Sequence, residues 1–360
     1  MEPGLASVMT MESIDTIIAL SHEFGTPEYV KGGGGNTSVK NEFSMWIKPS
    51  GTTLRTLSAE TMVAMNRGKI DALYDVEAPV EASAREELVK NLMADAVEND
   101  AGRPSVEAPL HNVFDATFVV HTHAVLVNGM TCARDGEAAC RRLFPEALWV
   151  EYIDPGYTLC MEVRERMIHY RKQHGREPSL LILQNHGIFV SGDTADEIRS
   201  QYDHVVTTLR AEYDEAGIPM TLTVGEALAS TATKETLKTV FGEDAAFVAS
   251  SGSFAVVPEP ISPDHMVYSR AFPFYGDVAA SGAAAYQGQH GYAPKLIVAD
   301  DRVYGIGTSQ KNADLSLELA QDGALVAQLA EAFGGVHYMT AAQVEFIENW
   351  EVEAYRQQQV

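Results

Sequence analysis

Basic residues are scarce in this sequence. Its 360 residues include 26 Lys and Arg against 50 Asp and Glu, which gives a net charge of −24 with neutral histidines. A surface of that sign repels phosphate backbones and anionic lipid head groups, so the charge argues against nucleic-acid and membrane-surface binding. A small anionic substrate remains compatible, because a few local donors in a cleft outweigh a distant field that salt screens over about 10 Å.

Cysteine is scarce as well, and long apolar runs are missing. The three cysteines, Cys132, Cys140 and Cys160, cannot all pair with one another and form no Cys-x-x-Cys motif, so we expect reduced thiols. The first residues lack the basic and apolar segments of a signal peptide. No uncharged apolar run approaches the roughly 20 residues of a transmembrane helix. These features predict a cytoplasmic protein.

Hydrophobic spacing predicts a mixed α/β protein. At roughly 150 residues per domain, the length favours about two domains. Apolar residues at helical spacing predict helices, and β-branched apolar runs predict buried strands. The predicted helices cover 9–24, 80–97 and 194–216; a hairpin is predicted over 37–48, and buried strands at 118–123 and 180–183.

Two segments of the chain share one pattern. Residues 178–194 have the sequence PSLLILQNHGIFVSGDT, and residues 294–310 have the sequence PKLIVADDRVYGIGTSQ. Each pattern predicts a strand, a turn and a second strand, followed by a long helix. We interpret the second segment as a degenerate repeat in which Arg302 stands at the position of His186. The corresponding prediction is a catalytic domain over 1–225 and a C-terminal α/β region over 226–360.

Three histidines are candidate metal ligands. His121 and His123 lie two residues apart on a predicted strand, so both imidazoles face the same side. His186 follows another buried strand, and Gly187 allows a sharp turn beside it. Three imidazoles that leave a coordination position open are typical of a catalytic metal site.

Two further features lie near these histidines in the sequence. Glu107 precedes the His-x-His strand and is a candidate fourth ligand or general base. The glycine-rich segment 32–38 lacks the Lys-Ser/Thr ending of a nucleotide-hydrolysing loop. It is either a flexible turn or a group of backbone N–H donors suited to a phosphate.

Five separated motifs resemble, in order and spacing, those of the class II aldolase/adducin family. They are Gly35-Asn36-Thr37-Ser38, Pro49-Ser50-Gly51, Ser105-Val106-Glu107, His121-Thr122-His123 and Asn185-His186-Gly187. The resemblance covers roughly residues 10–215. It implies a three-layer α/β/α fold with a central, mainly antiparallel sheet, a divalent metal, and often a homotetramer with active sites between subunits. The metal is usually Zn²⁺, with Mn²⁺, Co²⁺ or Fe²⁺ as alternatives.

The later part of the chain is similar to a particular branch of that family. Three motifs resemble the aldolase half of bacterial bifunctional rhamnulose-1-phosphate aldolase/dehydrogenase proteins: Ser262-Pro263-Asp264-His265, Gly334-Gly335 and Glu348-Asn349-Trp350-Glu351. This resemblance covers nearly all of the chain.

The family resemblance also implies roles for individual residues. His121, His123 and His186 match the metal ligands, and Glu107 matches a glutamate that binds the metal and acts as acid and base. The residues that match substrate and phosphate-binding positions are Gly35, Asn36, Thr37, Ser50, Gly51 and Ser105. The chain departs from the simpler sugar-phosphate aldolases at Val106, where a second serine would add a donor worth roughly 1 kcal/mol.

Four other side chains are assigned less directly. The family uses a proton-donating tyrosine from a neighbouring subunit, for which Tyr152 and Tyr157 are the candidates. Lys40 and Lys48 are interpreted as surface or phosphate-adjacent charges, since metal-dependent aldol chemistry needs no Schiff-base lysine.

The implied function is cleavage of a ketose 1-phosphate, such as rhamnulose or fuculose 1-phosphate, to dihydroxyacetone phosphate and an aldehyde. The alternatives are a metal-dependent decarboxylase of a 3-oxo sugar acid phosphate, a sugar-phosphate 4-epimerase, and a non-catalytic, adducin-like assembly protein. The epimerases carry aspartate at the position of Glu107, so the glutamate favours the aldolases. The expected partner is a small sugar phosphate, with no nucleic acid and no membrane.

Overall fold

The chain forms two compact units. A computed structural model describes residues 11–226 and 231–350. Within these residues the first unit contains the chain up to Val127 and from Glu137 to Leu209, and the second contains Asn128–Gly136 and the chain from Arg210 onward. The functional division at residues 225 and 226 stays a prediction.

The first unit is built on a seven-stranded sheet. Its strands are β1 (Asn36–Lys40), β2 (Ser44–Ile47), β3 (Val63–Asn66), β4 (Phe118–Thr122), β5 (Leu148–Val150), β6 (Leu180–Leu183) and β7 (Gly187–Gly192). The spatial order is β3-β2-β1-β4-β7-β6-β5. Only β5 and β6 pair in parallel, and every other pair is antiparallel. The predicted, mainly antiparallel central sheet is therefore confirmed.

The helices that begin in or next to this unit include the three predicted from spacing. They are α1 (Met11–Phe24), α2 (Arg67–Asp71), α3 (Ala82–Ala96), α4 (Ala108–Val113), α5 (Val125–Thr131), α6 (Gly136–Leu143), α7 (Tyr157–His174) and α8 (Ala195–Glu215). The long helix α8 begins where the Oγ1 of Thr194 accepts a hydrogen bond from the backbone N–H of Glu197 at 3.2 Å. Residues 9 and 10, the expected start of the first helix, lie outside the described residues.

Helices cover both faces of this sheet. On one face, side chains of α4 and α7 pack with Val119 of β4 and Phe189 of β7 in one buried apolar cluster. On the other face, Ser21 of α1 hydrogen-bonds Thr37 of β1, and Tyr202 of α8 hydrogen-bonds Thr122 of β4. Because successive strand residues point to opposite faces, His121 shares its face with Val119. The α/β/α layering is as predicted.

The second unit contains a smaller sheet and its own helices. The strands are β8 (Phe247–Gly252), β9 (Phe274–Tyr275), β10 (Leu296–Ala299) and β11 (Arg302–Gly307). The helices are α9 (Thr231–Phe241), α10 (Pro263–Ser269), α11 (Ala280–His290), α12 (Gln310–Ala330) and α13 (Ala341–Asn349). The strand order is β8-β11-β10-β9. The expected additional α/β region is present.

The second sheet has the same topology as four consecutive strands of the first sheet. The order β4-β7-β6-β5 corresponds to β8-β11-β10-β9. In each set the first two pairings are antiparallel and the third is parallel. The hairpin in each set is followed by a helix of 21 residues. This agreement supports the hypothesis of an internal repeat.

The strand register corrects the expected match of Arg302 to His186. In the first hairpin Leu183 pairs with Gly187, so the connecting turn has three residues and His186 is the last of them. In the second hairpin Ala299 pairs directly with Arg302 across a two-residue turn. Arg302 therefore corresponds to Gly187, and the second turn is one residue too short to hold a counterpart of His186.

The remaining expectations concern thiols and membrane segments. Cys132, Cys140 and Cys160 are buried free thiols, and burial raises the pKa of each to about 12. Among the described helices, none combines the length and hydropathy that a membrane-spanning segment requires.

Candidate metal centre

Three imidazoles converge at one end of the first sheet. His121 lies on β4, His123 follows that strand, and His186 lies in the turn before β7. Their ring centroids are 4.7, 5.0 and 5.0 Å apart, so the rings form a nearly equilateral triangle. One ring nitrogen from each lies within 4.8 Å of the other two. The three side chains together form a group that could hold a metal ion.

The fold sets the orientation of the His121 ring. Its Nδ1 lies 3.0 Å from the carbonyl oxygen of Ile188, which can only accept a hydrogen bond. Nδ1 therefore carries the proton, and the lone pair of Nε2 points toward His123 and His186. The fully buried ring also stacks on Phe189 with a centroid separation of 3.9 Å. Burial lowers the pKa of His121 well below its usual value, so the imidazole is neutral.

Two glycines allow the backbone to approach these histidines closely. A Cβ on Gly187 would overlap the carbonyl oxygen of Thr122 and would lie 3.0 Å from the ring of His123. A Cβ on Gly35 would lie 2.7 Å from the carbonyl oxygen of His121, and Gly35 also has a φ of +65°. Side chains at these positions would push neighbouring segments away from the three imidazoles.

Glu107 places a carboxylate beside the imidazoles. It immediately precedes α4 and is 6% exposed. Its Oε1 lies 3.4 Å from Nε2 of His186, and its Oε2 lies 3.5 Å from Nε2 of His121. Within the described part of the chain, the buried Oε1 has no hydrogen-bond partner. The arrangement therefore offers three nitrogen donors and one oxygen with an unused lone pair.

A chain of buried hydrogen bonds leads to the other carboxylate oxygen. The side-chain amide of Asn36 donates to Oε2 of Glu107 at 2.6 Å. Because that amide nitrogen is the donor, the Oδ1 of Asn36 is free to accept, and it does so from Nε2 of His111. Nδ1 of His111 then accepts from the hydroxyl of Ser38 at 2.8 Å. The bonds run in one direction, from Ser38 to Glu107.

Charge and burial agree with this direction. Burial would by itself raise the pKa of Glu107, but the N–H groups of the neighbouring imidazole rings and the Asn36 hydrogen bond favour the carboxylate, and the pKa is lowered overall. Burial lowers the pKa of His111 to about 3, so this ring is neutral and carries a single proton. A neutral ring with its proton on Nε2 is the form that the chain of hydrogen bonds requires.

Several predicted phosphate-binding residues lie around the buried side chain of Lys48. Its ammonium donates to the carbonyls of Gly33 and Thr52, at 3.2 and 2.8 Å, which ties the glycine-rich loop to the Pro-Ser-Gly turn. The Lys48 carbonyl accepts from the N–H of Ser105, and the N–H of Ser50 donates to the carbonyl of Arg103. The glycine-rich loop, the Pro-Ser-Gly turn and the Ser105 segment therefore meet at one place.

The structure excludes a surface position for the two lysines, and the alternative of phosphate-adjacent charges stays a prediction. Lys48 is 2% exposed and Lys40 is 3% exposed. Lys40 donates to the carbonyl of Ala116 at 3.0 Å, and its pKa is lowered to about 7, first by burial and then by the nearby charge of Arg67. Sequence reasoning also missed His111, although its position four residues after Glu107 on a short helix was a usable signal.

The other candidates are placed differently. The hydroxyl of Thr37 hydrogen-bonds Ser21, on the sheet face opposite the imidazoles. The backbone N–H of Tyr152 donates to the side chain of Gln184 at 3.1 Å, next to the turn that carries His186. Tyr157 begins α7 and lines a separate groove of about 500 Å³. The roles of these residues stay predictions.

Comparison with known proteins places the same part of the chain in a family. The family model for the class II aldolase and adducin N-terminal domain matches residues 15–213. Over 196 residues the chain is 26% identical to YuxG, an uncharacterized oxidoreductase of Bacillus subtilis (strain 168). That alignment covers 51% of this chain and only 27% of the relative's length.

Two solved structures are similar to part of this chain. The N-terminal class II aldolase domain of a conserved Thermoplasma acidophilum protein is 23% identical, with a TM-score of 0.49, over 59% of this chain and 98% of that one. An L-fuculose-1-phosphate aldolase from Thermus thermophilus is 15% identical, with a TM-score of 0.38, over 58% of this chain and 98% of that one.

Proposed function

The chain belongs to the class II aldolase and adducin family, and on that premise we propose that it is a divalent-metal-dependent aldolase. The proposed substrate is a ketose 1-phosphate of the rhamnulose or fuculose type. The products are dihydroxyacetone phosphate and an aldehyde. The observation that carries the proposal is the position of the buried Glu107 carboxylate beside three convergent imidazoles. Its Oε1 has no hydrogen-bond partner among the described residues.

The donor set fits a divalent cation. His121, His123 and His186 would supply neutral ring nitrogens, and Glu107 would supply an oxygen in the resting state. Imidazole and carboxylate suit Zn²⁺, and also Mn²⁺, Co²⁺ or Fe²⁺. When bound, such an ion would polarise the substrate carbonyl as a Lewis acid and stabilise negative charge that develops on its oxygen.

Glu107 is the proposed acid and base. Cleavage of the C3–C4 bond turns the C4 carbinol into the aldehyde, with loss of its hydroxyl proton to solvent, and leaves an electron pair on the C3 side. C3 must then gain a proton to give dihydroxyacetone phosphate. Asn36 holds Oε2 of Glu107 at 2.6 Å, so Oε1 is the oxygen directed toward a substrate. Glu107 would carry the proton between C3 and solvent, and the neutral chain through His111 would keep its carboxylate in position.

We assign the phosphate end of the substrate to the segments joined by Lys48. The backbone of the glycine-rich loop at Gly35, the turn at Ser50 and Gly51, and the hydroxyl of Ser105 lie on these segments. Thr37 would contribute only its backbone, because its hydroxyl is bonded to Ser21. We also infer a homo-oligomer in the cytoplasm, with a tetramer favoured, as the family resemblance implies.

The test combines metal content with product release. Protein purified without chelators should contain about one divalent ion per chain by mass spectrometry, and it should release dihydroxyacetone phosphate from one or a few ketose 1-phosphates in a panel. His121→Ala should lose both properties. His174→Ala is the matched control, because His174 is an exposed histidine at the end of α7, and it should keep both.

Two results would replace the proposal. Metal binding with release of carbon dioxide from 3-oxo sugar acid phosphates, and no aldol cleavage, would make the protein a decarboxylase. A folded wild-type protein that binds no divalent ion and cleaves no sugar phosphate would support an adducin-like assembly role.

A further inference from the structure

The second unit contains a small cavity that the aldolase proposal does not use. It has a volume of about 40 Å³ and lies among α10, α12 and the start of β10. Its walls are mostly apolar and include Ile261, Met266, Leu296 and Leu319. A water needs roughly 10–15 Å³, so the space suits a ligand of only a few non-hydrogen atoms. The polar side chains that line it are Glu259, His265, Ser269 and Arg270.

Arg270 holds an unusual backbone conformation at this cavity. It ends α10 with a φ of 65° and a ψ of 166°, a region that is essentially restricted to glycine. Arginine in such a position is unfavourable for folding, and glycine would remove the strain. Strained residues persist where the side chain is required, and they concentrate at ligand-binding sites.

The Nε–H of Arg270 is available to an anion. The Nε atom is buried, and within the described part of the chain this atom has no hydrogen-bond partner. The guanidinium lies over the ring of Tyr292, 4.7 Å from the ring centroid, so the ring fixes its plane. The hydroxyl of Tyr292 donates a hydrogen bond of 2.7 Å to the carboxylate of Glu348, so one oxygen of that carboxylate already has a partner.

A second positive charge adds to that of Arg270. Lys295 immediately precedes Leu296 of the cavity wall. Its pKa is lowered to about 8, first by burial and then by the positive charge of Arg270, while Asp244 has the opposite effect. The positive charge of Arg270 therefore acts on Lys295, in a chain whose net charge is −24. An anion bound to Arg270 would relieve this repulsion. Glu259 is exposed, so solvent screens its charge.

Polar contacts of the Ser-Pro-Asp-His motif fix the part of the cavity wall at the start of α10. The hydroxyl of Ser262 bonds Nδ1 of His265 at 2.7 Å, and Nε2 of His265 bonds Asp322 of α12 at 3.1 Å. Gly323 lies under the same ring, since a Cβ there would be 3.3 Å from it. His265 is thus engaged on both nitrogens, which leaves Arg270 as the principal donor for a ligand.

We propose that this cavity binds a short-chain carboxylate of two to four carbons, through the guanidinium of Arg270 and the positive charge of Lys295. The planar fork of arginine matches the two oxygens of a carboxylate. The apolar walls match a short hydrocarbon tail. A phosphate or sulfate needs donors around a tetrahedron, and these walls provide few. The proposal does not depend on the aldolase assignment, because it involves neither the imidazoles nor Glu107.

The test measures binding to the full-length protein by isothermal titration calorimetry. Acetate, propionate, butyrate and hexanoate are compared with phosphate and sulfate at matched ionic strength in chloride. At least one of the three shorter carboxylates should bind at a single saturable site, and hexanoate should bind more weakly because the cavity is too small. Arg270→Gln should weaken this binding by about 10- to 100-fold, the range for a charged hydrogen bond.

Matched variants separate binding from folding. Arg134→Gln changes an exposed arginine of the same unit and should bind as the wild type does. Arg270→Gly should also lose binding, but it should melt about 2 °C or more above Arg270→Gln without ligand, because glycine tolerates the backbone conformation. Ala320→Leu, on the cavity wall, should weaken butyrate binding more than acetate binding.

Three outcomes would overturn the proposal. They are the absence of saturable carboxylate binding, phosphate or sulfate binding as tight as that of any carboxylate, and retention of carboxylate binding by Arg270→Gln. None of these measurements uses catalytic activity. A negative result for carboxylate binding therefore leaves the aldolase proposal unchanged, and a negative result for aldolase activity leaves the carboxylate proposal unchanged.

Discussion

The amide of Asn36 donates a 2.6 Å hydrogen bond to Oε2 of Glu107, 71 residues further along the chain. Asn36 is 1% exposed and pairs with His121 across β1 and β4. The same side chain accepts from His111 through its Oδ1. Asn36 therefore connects the strand pair that includes His121 with the helix that follows Glu107, in addition to any contact it makes with a substrate.

Replacing Asn36 with aspartate should impair catalysis while retaining the metal. The new carboxylate would lie against Glu107, where it cannot donate and where two negative charges repel each other. We expect kcat to fall by about 100-fold or more, the scale of positioned acid–base catalysis. Metal content measured by mass spectrometry should stay near the wild-type value. Asn349→Asp, at an exposed asparagine, is the control, and equal kcat values for the two variants would contradict the role of Asn36.

His111 should act as a positioning residue for Glu107. His111→Phe keeps an aromatic ring against Phe189 but leaves Ser38 and Asn36 without their buried partner. Each unsatisfied group costs about 1–3 kcal/mol, so the melting temperature should fall. The informative readout is kcat against KM: kcat should fall about 10-fold or more with KM little changed. His111→Gln, which can still donate to Asn36, should recover part of kcat. A folded His111→Phe protein with wild-type kcat would exclude this role.

Gly187 should be intolerant of a side chain. A Cβ there would overlap the Thr122 carbonyl oxygen and crowd the His123 ring, so β7 would have to move away from β4. We expect Gly187→Ala to lower the melting temperature by several degrees and to reduce metal content, since His186 precedes it. Gly288→Ala, in α11 with no atom near the added Cβ, should be neutral or stabilising by about 0.5–1 kcal/mol. Similar melting temperatures for the two variants would refute the close-approach argument.

Buried Lys40 should make stability depend on pH. Its pKa in the folded chain is about 7, against 10.5 for an ordinary lysine. Between these values the unfolded chain binds more protons, so the free energy of unfolding rises with pH, by at most about 1.4 kcal/mol per pH unit. Lys40→Met removes this contribution. Denaturant unfolding from pH 7 to 10 should show wild type gaining stability relative to the variant. Lys69→Met, at an exposed lysine, is the control. The prediction would be contradicted if the difference in the free energy of unfolding between wild type and Lys40→Met did not change with pH.

The meeting of His186 with the other two imidazoles required the pairing of β4 with β7. Local sequence was sufficient for several helices and strands and for the shared face of His121 and His123. The His-x-His spacing on an apolar strand places these two rings on one face, and Gly187 permits a sharp turn beside His186. These are consequences of the strand repeat and of glycine's backbone freedom, which depend on neighbouring residues only. Their role as metal ligands remains a prediction. The five motifs were specific enough to indicate the family, because their order and spacing agree over most of the matched region.

Tertiary structure decided which side chains share an environment. No local pattern indicates that Lys48 is buried beneath the glycine-rich loop, that Thr37 faces α1, or that His111 completes a chain of hydrogen bonds to Glu107. The position of Arg302 also required the strand register, because one residue more or less in a turn shifts every later position relative to its partner strand. Such contacts join residues far apart in the chain, and burial, pairing and hydrogen-bond direction there depend on how the whole domain packs.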